Sequence, residues 1–440
     1  MRLTEHGVGL VAVVWALGAT GAAAQADTPT FTEDVAPILY ENCVVCHRAG
    51  ETAPMSLITY QETRPWSRSI KSKVLAGEMP PWHADPSVGR FLNERRLTDA
   101  ERDTIVAWVD AGAPEGDPVR LPAAPTFSPG WRIGTPDAVI EMPAPFEVAA
   151  EGEIAYQYFT AETNFTEDTW VKAIEVRAGS PAVVHHILAY ARAPGVERQP
   201  SAFRQIATSD RAEALAAARE RQESGLSTAG GERPARRAGG SPGTLIGTMA
   251  PGTNPMVFEP DTAFLIPKGT TIVFQVHYTA NGEPTMDRSR VGLVFAEGPP
   301  KRELRVSQFI NAAFEIPAGA SDVRIDGVIE FTEDAQIHAI FPHTHVRGKK
   351  WLYELVYPDG RREPVLSVPE YDFNWQTYYQ FEEPVEVPSG TRLEAAAWYD
   401  NSPANRANPD PTMPVRWGEQ TWEEMHYTGI TYSVKDETEE

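Results

Sequence analysis

The stretch Val183-Val184-His185-His186-Ile187-Leu188-Ala189-Tyr190 shows the pattern that decides the fold. Apolar and β-branched residues surround two adjacent histidines without glycine or proline, which is typical of a buried β-strand. Segments of similar composition recur from about residue 135 onward, so we expect most of the chain to be β-structure. The predicted strands are 154–159, 170–176, 183–190, 271–279, 323–331, 351–357, 392–398 and 427–434.

Turn signals separate these strands. Pro358-Asp359-Gly360 predicts a hairpin turn, because proline restricts φ and glycine accepts a positive φ. A four-residue pattern, in which glycine follows proline by two positions, occurs at 266–269, 316–319 and 387–390. Each copy precedes a predicted strand. The repetition predicts one β-architecture used twice, with a boundary near 298–300. We therefore expect two all-β domains, 136–300 and 301–440.

Residues 27–118 have a helical pattern instead. Helical segments are predicted at 32–40, at 61–76 and from Thr98 onward. The third begins with a capping box, Thr98-Asp99-Ala100-Glu101, in which two side chains satisfy free backbone donors at the helix start. These signals predict an all-α N-terminal domain, followed by a proline-rich linker over 119–135.

Residues 192–243 interrupt the β-pattern. They hold nine arginines, an alanine-rich helical piece at 211–223 and a run of glycine, serine and proline. We interpret the segment as an insertion loop that is partly disordered. A solvated loop is favoured over a docking surface for an acidic partner.

The composition excludes several classes of protein. The formal net charge of -22 argues against a nucleic-acid or anionic-membrane partner, because both require a basic surface. Two cysteines in 440 residues exclude a disulfide scaffold. Because these cysteines are only three positions apart, we expect them to serve a local purpose.

The N-terminus predicts export. Arg2 precedes an apolar stretch, 8–17, and a run of small residues, 19–26. This is the layout of a signal peptide, 1–26, with cleavage near Ala24 to Ala26. An uncleaved anchor is the alternative, but the apolar core is shorter than the roughly 20 residues that a span needs. We expect a periplasmic or secreted mature chain with no transmembrane segment.

The sequence Cys43-Val44-Val45-Cys46-His47 is the attachment pattern of c-type haem. The two thiols add to the haem vinyl groups, and His47 binds the iron. A thioredoxin-like redox pair would require a preceding strand, and a zinc site would require further cysteines. The motif therefore predicts one covalent haem c.

The second axial ligand of this haem is predicted to be Met79. Its neighbours Pro80-Pro81-Trp82 are expected to hold the chain rigid beside the haem edge. The segment resembles class I cytochromes c, which commonly place proline after the ligand methionine. Met55 is the alternative, and His83 is a further candidate. A methionine ligand raises the reduction potential of the haem.

Five histidines fall in three strand-like contexts: His185, His186, His277, His343 and His345. Histidines two residues apart on a strand share a face, with Cα atoms roughly 6.6 Å apart, and can converge on one metal. His185 and His186 nominally point to opposite faces, so a shared metal there requires a bulge or a strong twist. Histidine-rich sites without cysteine suit zinc, copper or iron.

Four short motifs within residues 150–435 carry a resemblance to a known family. They are His185-His186, Gln275-Val276-His277-Tyr278, His343-Thr344-His345 with Gly348-Lys349 after it, and Glu423-Glu424-Met425. In this order and spacing the chain resembles the copper type II, ascorbate-dependent monooxygenases, which include peptidylglycine α-hydroxylating monooxygenase and dopamine β-monooxygenase. The resemblance implies two jelly-roll-like β-sandwich domains, each with one copper.

The resemblance also implies the ligands and the reaction. The electron-transfer copper would be bound by His185, His186 and His277, and the catalytic copper by His343, His345 and Met425. Gln275 matches a residue near the path between the two coppers. The implied reaction is hydroxylation of a substrate C–H bond by dioxygen, with two electrons supplied one at a time.

The chain departs from the peptide-amidating members at the substrate site. Their carboxylate-binding arginine corresponds to Phe341, and their asparagine and tyrosine after the methionine correspond to Tyr427 and Gly429. A less polar substrate than a peptide carboxylate is therefore indicated. His426 is a conceivable extra ligand, although an ordinary strand histidine that faces away is the favoured interpretation.

Together these patterns predict an exported haem c and copper monooxygenase. Its expected partners are dioxygen, an unknown organic substrate and an electron donor to the haem, which would pass electrons to the three-histidine copper. The alternative is a copper-binding or electron-transfer protein without oxygenase activity. A zinc hydrolase is less consistent with the sequence, because Met425 would be a poor zinc ligand.

Overall fold

The computed structural model describes residues 28–51, 53–127, 130–152, 154–195, 201–206, 243–250, 253–418 and 420–434. The predicted signal peptide and the helical piece predicted at 211–223 lie outside these residues. Within the described ranges no helix has the length and apolar character needed to cross a membrane.

Strands dominate the described chain. The helical elements are a π-helical turn Phe31–Val35, α1 Ala36–Asn42, α2 Tyr60–Thr63, a 3₁₀ turn Arg64–Trp66, α3 Ser67–Leu75, α4 Asp99–Asp110 and a 3₁₀ turn Pro118–Arg120. The strands are β1 Ala138–Glu141, β2 Phe146–Val148, β3 Gln157–Glu162, β4 Thr169–Arg177, β5 Val184–Arg192, β6 Phe203–Ile206, β7 Thr244–Met249, β8 Met256–Val257, β9 Thr262–Ile266, β10 Thr271–Tyr278, β11 Thr285–Asp287, β12 Arg290–Phe295, β13 Arg302–Ile310, β14 Glu315–Ile316, β15 Val323–Phe331, β16 Ala335–His343, β17 Gly348–Val356, β18 Arg362–Val368, β19 Tyr379–Val387, β20 Arg392–Tyr399, β21 Val415–Arg416 and β22 Tyr427–Val434.

The first sandwich packs a four-stranded sheet against one half of a nine-stranded sheet. The smaller sheet has the order β3-β10-β5-β7. Its side chains Ile187, Ala189 and Ile272 point into a core that also contains Val171 and Leu293 of the larger sheet. Because side chains alternate along a strand, the residues between these lie on the outer face of the smaller sheet.

The second sandwich packs a five-stranded sheet, in the order β18-β17-β20-β15-β6, against the other half of the nine-stranded sheet. Ile329, Trp351 and Leu393 of the smaller sheet share a core with Ile337 and Tyr432 of the larger one. The short strand β6 belongs to the predicted insertion loop, yet it pairs with β15. Part of that segment is therefore sheet and belongs to the second sandwich.

The nine-stranded sheet joins the two sandwiches. Its order is β1-β12-β4-β9-β13-β22-β16-β19, with β8 paired to β4. The junction is a parallel pairing of β9 with β13, in which Phe264 lies opposite Leu304. The boundary predicted near 298–300 falls just before β13, but the sheet continues across it. The two sandwiches are thus joined by one continuous sheet.

The outer faces of the two halves also meet. Leu188, Tyr190 and Val273 on the four-stranded sheet pack against Phe341 and Tyr427 on the nine-stranded sheet. Side chains that share a strand face with these residues therefore lie between the two sandwiches.

The prediction of an all-α N-terminal domain is wrong. The longest helix that the structure describes is α4, with 12 residues, and the other helical segments are shorter. The capping box at Thr98 is present as predicted. The helix signals are therefore locally correct, but they do not extend into a helical domain.

The stretch between α3 and α4 explains this difference. Pro80, Pro81 and Pro86 interrupt it and remove backbone donors that a helix would need. The chain here runs along the second sandwich, where Phe91 pairs with Phe381 in an isolated bridge. Trp82 and Phe91 are buried in the second core. Much of this N-terminal segment is thus attached to the β-structure.

Candidate metal centre

The histidines of the predicted site lie at the contact between the two sandwiches. On β5, His186 shares a face with Leu188, and on β10, His277 shares a face with Val273. His343 ends β16 two residues after Phe341, on the opposite side of the same contact. The topology therefore brings together three segments that are distant in the sequence.

A β-bulge resolves the problem of two adjacent histidines. In the pairing of β5 with β10, His277 lies opposite His186, whereas Tyr278 lies opposite Val184. His185 is therefore the extra residue of the bulge. Since a bulge rotates the strand locally, His185 and His186 can face the same side. The irregularity that a shared metal requires is present in the structure.

His185, His186 and His277 form a compact group of imidazoles. One ring nitrogen from each histidine lies within 4.8 Å of those of the other two, and the Nδ1 atoms of His185 and His186 are 3.1 Å apart. His277 lies with its ring centroid 5.1 Å from that of His185 and 5.0 Å from that of His186. No carboxylate belongs to this group in the described part of the chain.

Burial keeps these imidazoles neutral. Desolvation lowers the pKa of His277 to about 3, with a further contribution from His185. Burial, followed by the charges of the neighbouring histidines, lowers the pKa of His186 well below its usual value. The pKa of His185 is also lowered, again mainly by burial. Only a neutral imidazole has a lone pair for a metal, so the group is ready to bind one at neutral pH.

His343 and His345 form a second pair, with ring centroids 5.3 Å apart. The Nδ1 of His343 donates to Oε1 of Gln376 at 2.7 Å, and the Nδ1 of His345 donates to the carbonyl of Glu423 at 3.3 Å. Both bonds leave Nε2 as the ring nitrogen available to a metal. Burial lowers the pKa of His343 to about 4. The pKa of His345 is well below its usual value for the same reason.

Met425 lies near this second pair. It packs into the apolar cluster that contains Phe341 and Tyr427. The rings of these two residues lie 6.1 and 5.8 Å from the ring of His343. The hydroxyl of Tyr399 donates to the Met425 carbonyl at 2.8 Å, which holds the backbone in place.

Glu424 is a buried carboxylate whose role the sequence did not indicate. Its Oε1 accepts the backbone N–H groups of His345 and Met425, and its Oε2 accepts that of Arg347 at 3.0 Å. Burial raises the pKa of Glu424 to about 7, although these bonds act in the opposite direction. The carboxylate joins the His-Thr-His segment to the residues just before β22, which include Met425.

Gly348 approaches the His-Thr-His segment closely, and this approach requires a residue without a side chain. A Cβ at Gly348 would lie 1.8 Å from Oγ1 of Thr344, the residue between the two histidines. A larger residue at this position would collide with the Thr344 side chain. The glycine that follows the motif in the sequence therefore has a packing role.

Two other predicted residues, Gln275 and His426, make their contacts with groups other than these histidines. Gln275 shares the face of His277 on β10, and its amide donates to the Tyr158 hydroxyl at 2.6 Å. His426 points into the second core, where its ring lies 4.8 Å from that of Trp351 and Nε2 lies 3.2 Å from the Ala395 carbonyl. We therefore do not place His426 among the metal ligands.

The cysteine motif forms a turn at the end of α1. The N–H groups of Cys46 and His47 both donate to the Cys43 carbonyl, at 3.1 and 2.9 Å, and both thiols are free. Burial raises the pKa of Cys43 to about 12 and lowers that of His47, against a smaller effect of the Met55 backbone. Met55 and Cys43 both pack against the N-terminal core, a cluster that does not include Met79.

Sequence reasoning missed two side chains that touch the histidines. Gln376 is buried and bonded to His343, and the ring of Phe373 lies near both histidine groups. Both follow β18 in a segment without histidine, so no motif marked them. Only their position in the fold reveals them.

Comparisons with known proteins add no identification. No family model matches the chain, and no curated protein matches it. The structure of infectious bursal disease virus Gx strain is 8% identical over 68% of this chain and 72% of that chain, with a TM-score of 0.17. The crystal structure of coconut allergen cocosin is 7% identical over 68% of this chain and 85% of that chain, with a TM-score of 0.12. Such scores support no inference about fold or function.

Proposed function

We propose that this chain is an exported oxidoreductase with two copper sites and one covalent haem, which hydroxylates a C–H bond of an organic substrate with dioxygen. The observation that carries the proposal is the group of three neutral imidazoles, His185, His186 and His277, on a bulged strand. A second histidine pair lies across the contact between the sandwiches. The four motifs shared with copper type II monooxygenases support the same assignment.

The residues present fit copper. His277 Nδ1 and His345 Nε2 are buried and have no hydrogen-bond partner in the described part of the chain, which is unusual unless a lone pair serves another purpose. Imidazole suits copper, and the soft thioether of Met425 favours Cu(I). Bound copper supplies one-electron redox chemistry and activation of dioxygen.

The chain itself orients the ligands and shapes the site. Gln376 and the Glu423 carbonyl fix the tautomers of His343 and His345. Phe341 and Tyr427 present apolar surface beside His343 where an arginine would bind a carboxylate. These contacts favour a substrate without a carboxylate at this position.

The haem proposal rests on Cys43, Cys46 and His47. The two free thiols lie on one turn with a histidine whose lowered pKa keeps it neutral, which suits covalent attachment and iron binding. In this proposal Met79 is the second axial ligand. The haem would deliver electrons singly to the three-histidine site.

Metal analysis and oxygen uptake test the proposal together. We expect two coppers and one haem iron per chain in protein exported to a bacterial periplasm, and oxygen uptake above background with some members of an apolar substrate panel. The His345→Ala variant should lose one copper and the substrate-dependent oxygen uptake. It should keep the other copper. A protein that binds only zinc would contradict the copper assignment. Two coppers without substrate-dependent uptake would instead indicate an electron-transfer protein.

A further inference from the structure

A single segment contacts both histidine groups. Residues 371–376, Tyr371-Asp372-Phe373-Asn374-Trp375-Gln376, connect β18 to β19. They belong to the second half of the chain, whereas one of the two histidine groups belongs to the first. The segment therefore bridges the contact between the two sandwiches.

The central residue, Phe373, touches members of both groups. Its ring stacks on His185 with centroids 5.4 Å apart and an interplanar angle of 22°, and it meets His186 edge-on at 6.1 Å. Its centroid also lies 5.9 Å from that of the His345 ring, at an interplanar angle of 84°. With a relative exposure of 9%, the ring is buried at the place where it contacts both groups.

The residues on either side of Phe373 each support one group. The Asn374 side chain lies close enough to His185 to raise the pKa of that imidazole, against the larger effect of burial. Gln376, which is 2% exposed, bonds His343 at 2.7 Å. The Tyr371 hydroxyl donates to the Thr344 carbonyl at 3.0 Å and accepts its N–H at 3.3 Å, which holds the backbone between His343 and His345.

The segment is itself held in place. The Tyr371 N–H donates to the Lys349 carbonyl at 2.8 Å. Oδ1 of Asp372 accepts the backbone N–H and the side-chain amide of Asn374, at 2.9 and 2.8 Å. These bonds fix the conformation that points Phe373 between the histidines.

We propose that residues 371–376 position both histidine groups at once, and that Phe373 couples the geometry of one metal site to that of the other. The proposal rests on the assignment of these histidines to two copper sites. Because the Phe373 ring is shared, its loss should loosen His185 and His345 together. Asn374 and Gln376 each act on one group, so their effects should be confined to it.

Copper binding in two single-site backgrounds tests this inference. His345→Ala leaves the His185, His186 and His277 site, and His277→Ala leaves the site at His343. In each background the dissociation constant for Cu(II) is measured by competition with a chelator, and the copper geometry by electron paramagnetic resonance. The second measurement distinguishes a change in ligand position from a general loss of stability.

We expect Phe373→Leu to raise the dissociation constant about tenfold in both backgrounds, the scale seen when a residue that orients metal ligands is lost. It should also change both resonance spectra. Asn374→Ala should affect only the first site and Gln376→Ala only the second. Phe373→Tyr keeps the ring and should restore both sites.

Phe203→Leu is the matched control. Phe203 is a partly buried aromatic residue that contacts the rings of Phe331 and Tyr432 and no histidine among the described residues. The Phe203→Leu variant should leave both dissociation constants for Cu(II) unchanged. Thermal unfolding of the metal-free variants verifies that each is folded.

An effect of Phe373→Leu on one site only, or on neither, would overturn the inference while leaving the proposed function intact. A parent protein that binds no copper at these histidines would overturn the proposed function and this inference with it. Copper binding by the parent protein distinguishes these two outcomes.

Discussion

Imidazoles that burial keeps neutral reduce the stability of the folded chain as the pH falls. Burial holds the pKa of His277 at about 3, whereas an unfolded histidine titrates near 6.5. Below pH 6.5 the unfolded chain therefore binds more protons than the folded one, and folding becomes less favourable. Glu424 opposes this trend, because its folded pKa of about 7 lies above its unfolded value.

This difference predicts how His277→Gln changes the pH dependence of stability. Without metal, the free energy of unfolding of the parent should fall relative to the variant by about 1.4 kcal/mol between pH 7.5 and pH 5.5, because the proton is bound by the unfolded histidine alone over this range. Urea denaturation in the presence of a chelator measures it. Parallel curves for the two proteins would contradict the assigned pKa.

At the scale of elements, turns and strands follow local rules. The three Pro-x-Gly phrases end in Gly269, Gly319 and Gly390, with φ of 70°, 71° and 84°. Each lies just before a strand, as the repeated pattern predicted. The strand predictions at 323–331 and 427–434 coincide with β15 and β22. The local signals are strong because each depends on a few adjacent residues.

Gly319→Ala tests the conformational role of this turn. A Cβ there would meet no atom within 4 Å, so the left-handed φ is the only cost. We expect a loss of about 1 kcal/mol in the free energy of unfolding. Gly298→Ala is the control, because Gly298 has similar open space and a φ outside the left-handed region. Equal unfolding midpoints for the two variants would contradict the argument.

At the scale of the whole molecule, the stretch between α3 and α4 attaches to the second sandwich through aromatic rings. Trp82 and Phe91 lie 5.2 and 5.5 Å from the ring of Tyr379, and Phe91 lies 5.3 Å from Phe381. His83 directly follows Trp82. Burial lowers the pKa of His83, and the charge of Asp372 opposes this effect. The segment that follows Met79 thus reaches the residues beside Phe373.

Phe91→Ala should weaken this attachment. Removal of a buried phenylalanine typically costs about 3–5 kcal/mol, and Phe91 is 7% exposed. We expect a lower unfolding midpoint and faster proteolytic cleavage between α3 and α4. Leu92→Ala is the neighbouring control, because Leu92 is 54% exposed and such surface changes stay within about 0.5 kcal/mol. Similar cleavage rates for both variants would exclude the attachment.

The sequence by itself determined several strands, such as β15 and β22, the Pro-x-Gly turns, the capping box at Thr98 and the histidines that could bind a metal. These depend on periodicity and on residue chemistry, which are local. It did not reveal that His185 is a bulge residue, because a bulge exists only relative to the partner strand β10. Nor did it indicate that the stretch around Phe91 joins the second sandwich rather than a helical domain.

The tertiary structure alone decided which side chains surround the histidines. Phe373 and Gln376 follow the His-Thr-His motif by some thirty residues of ordinary sequence, and His185 precedes them by nearly two hundred. They meet because the outer faces of two sandwiches pack together around one shared sheet. Contacts of this kind are set by the packing of whole sheets, so no local pattern of residues encodes them.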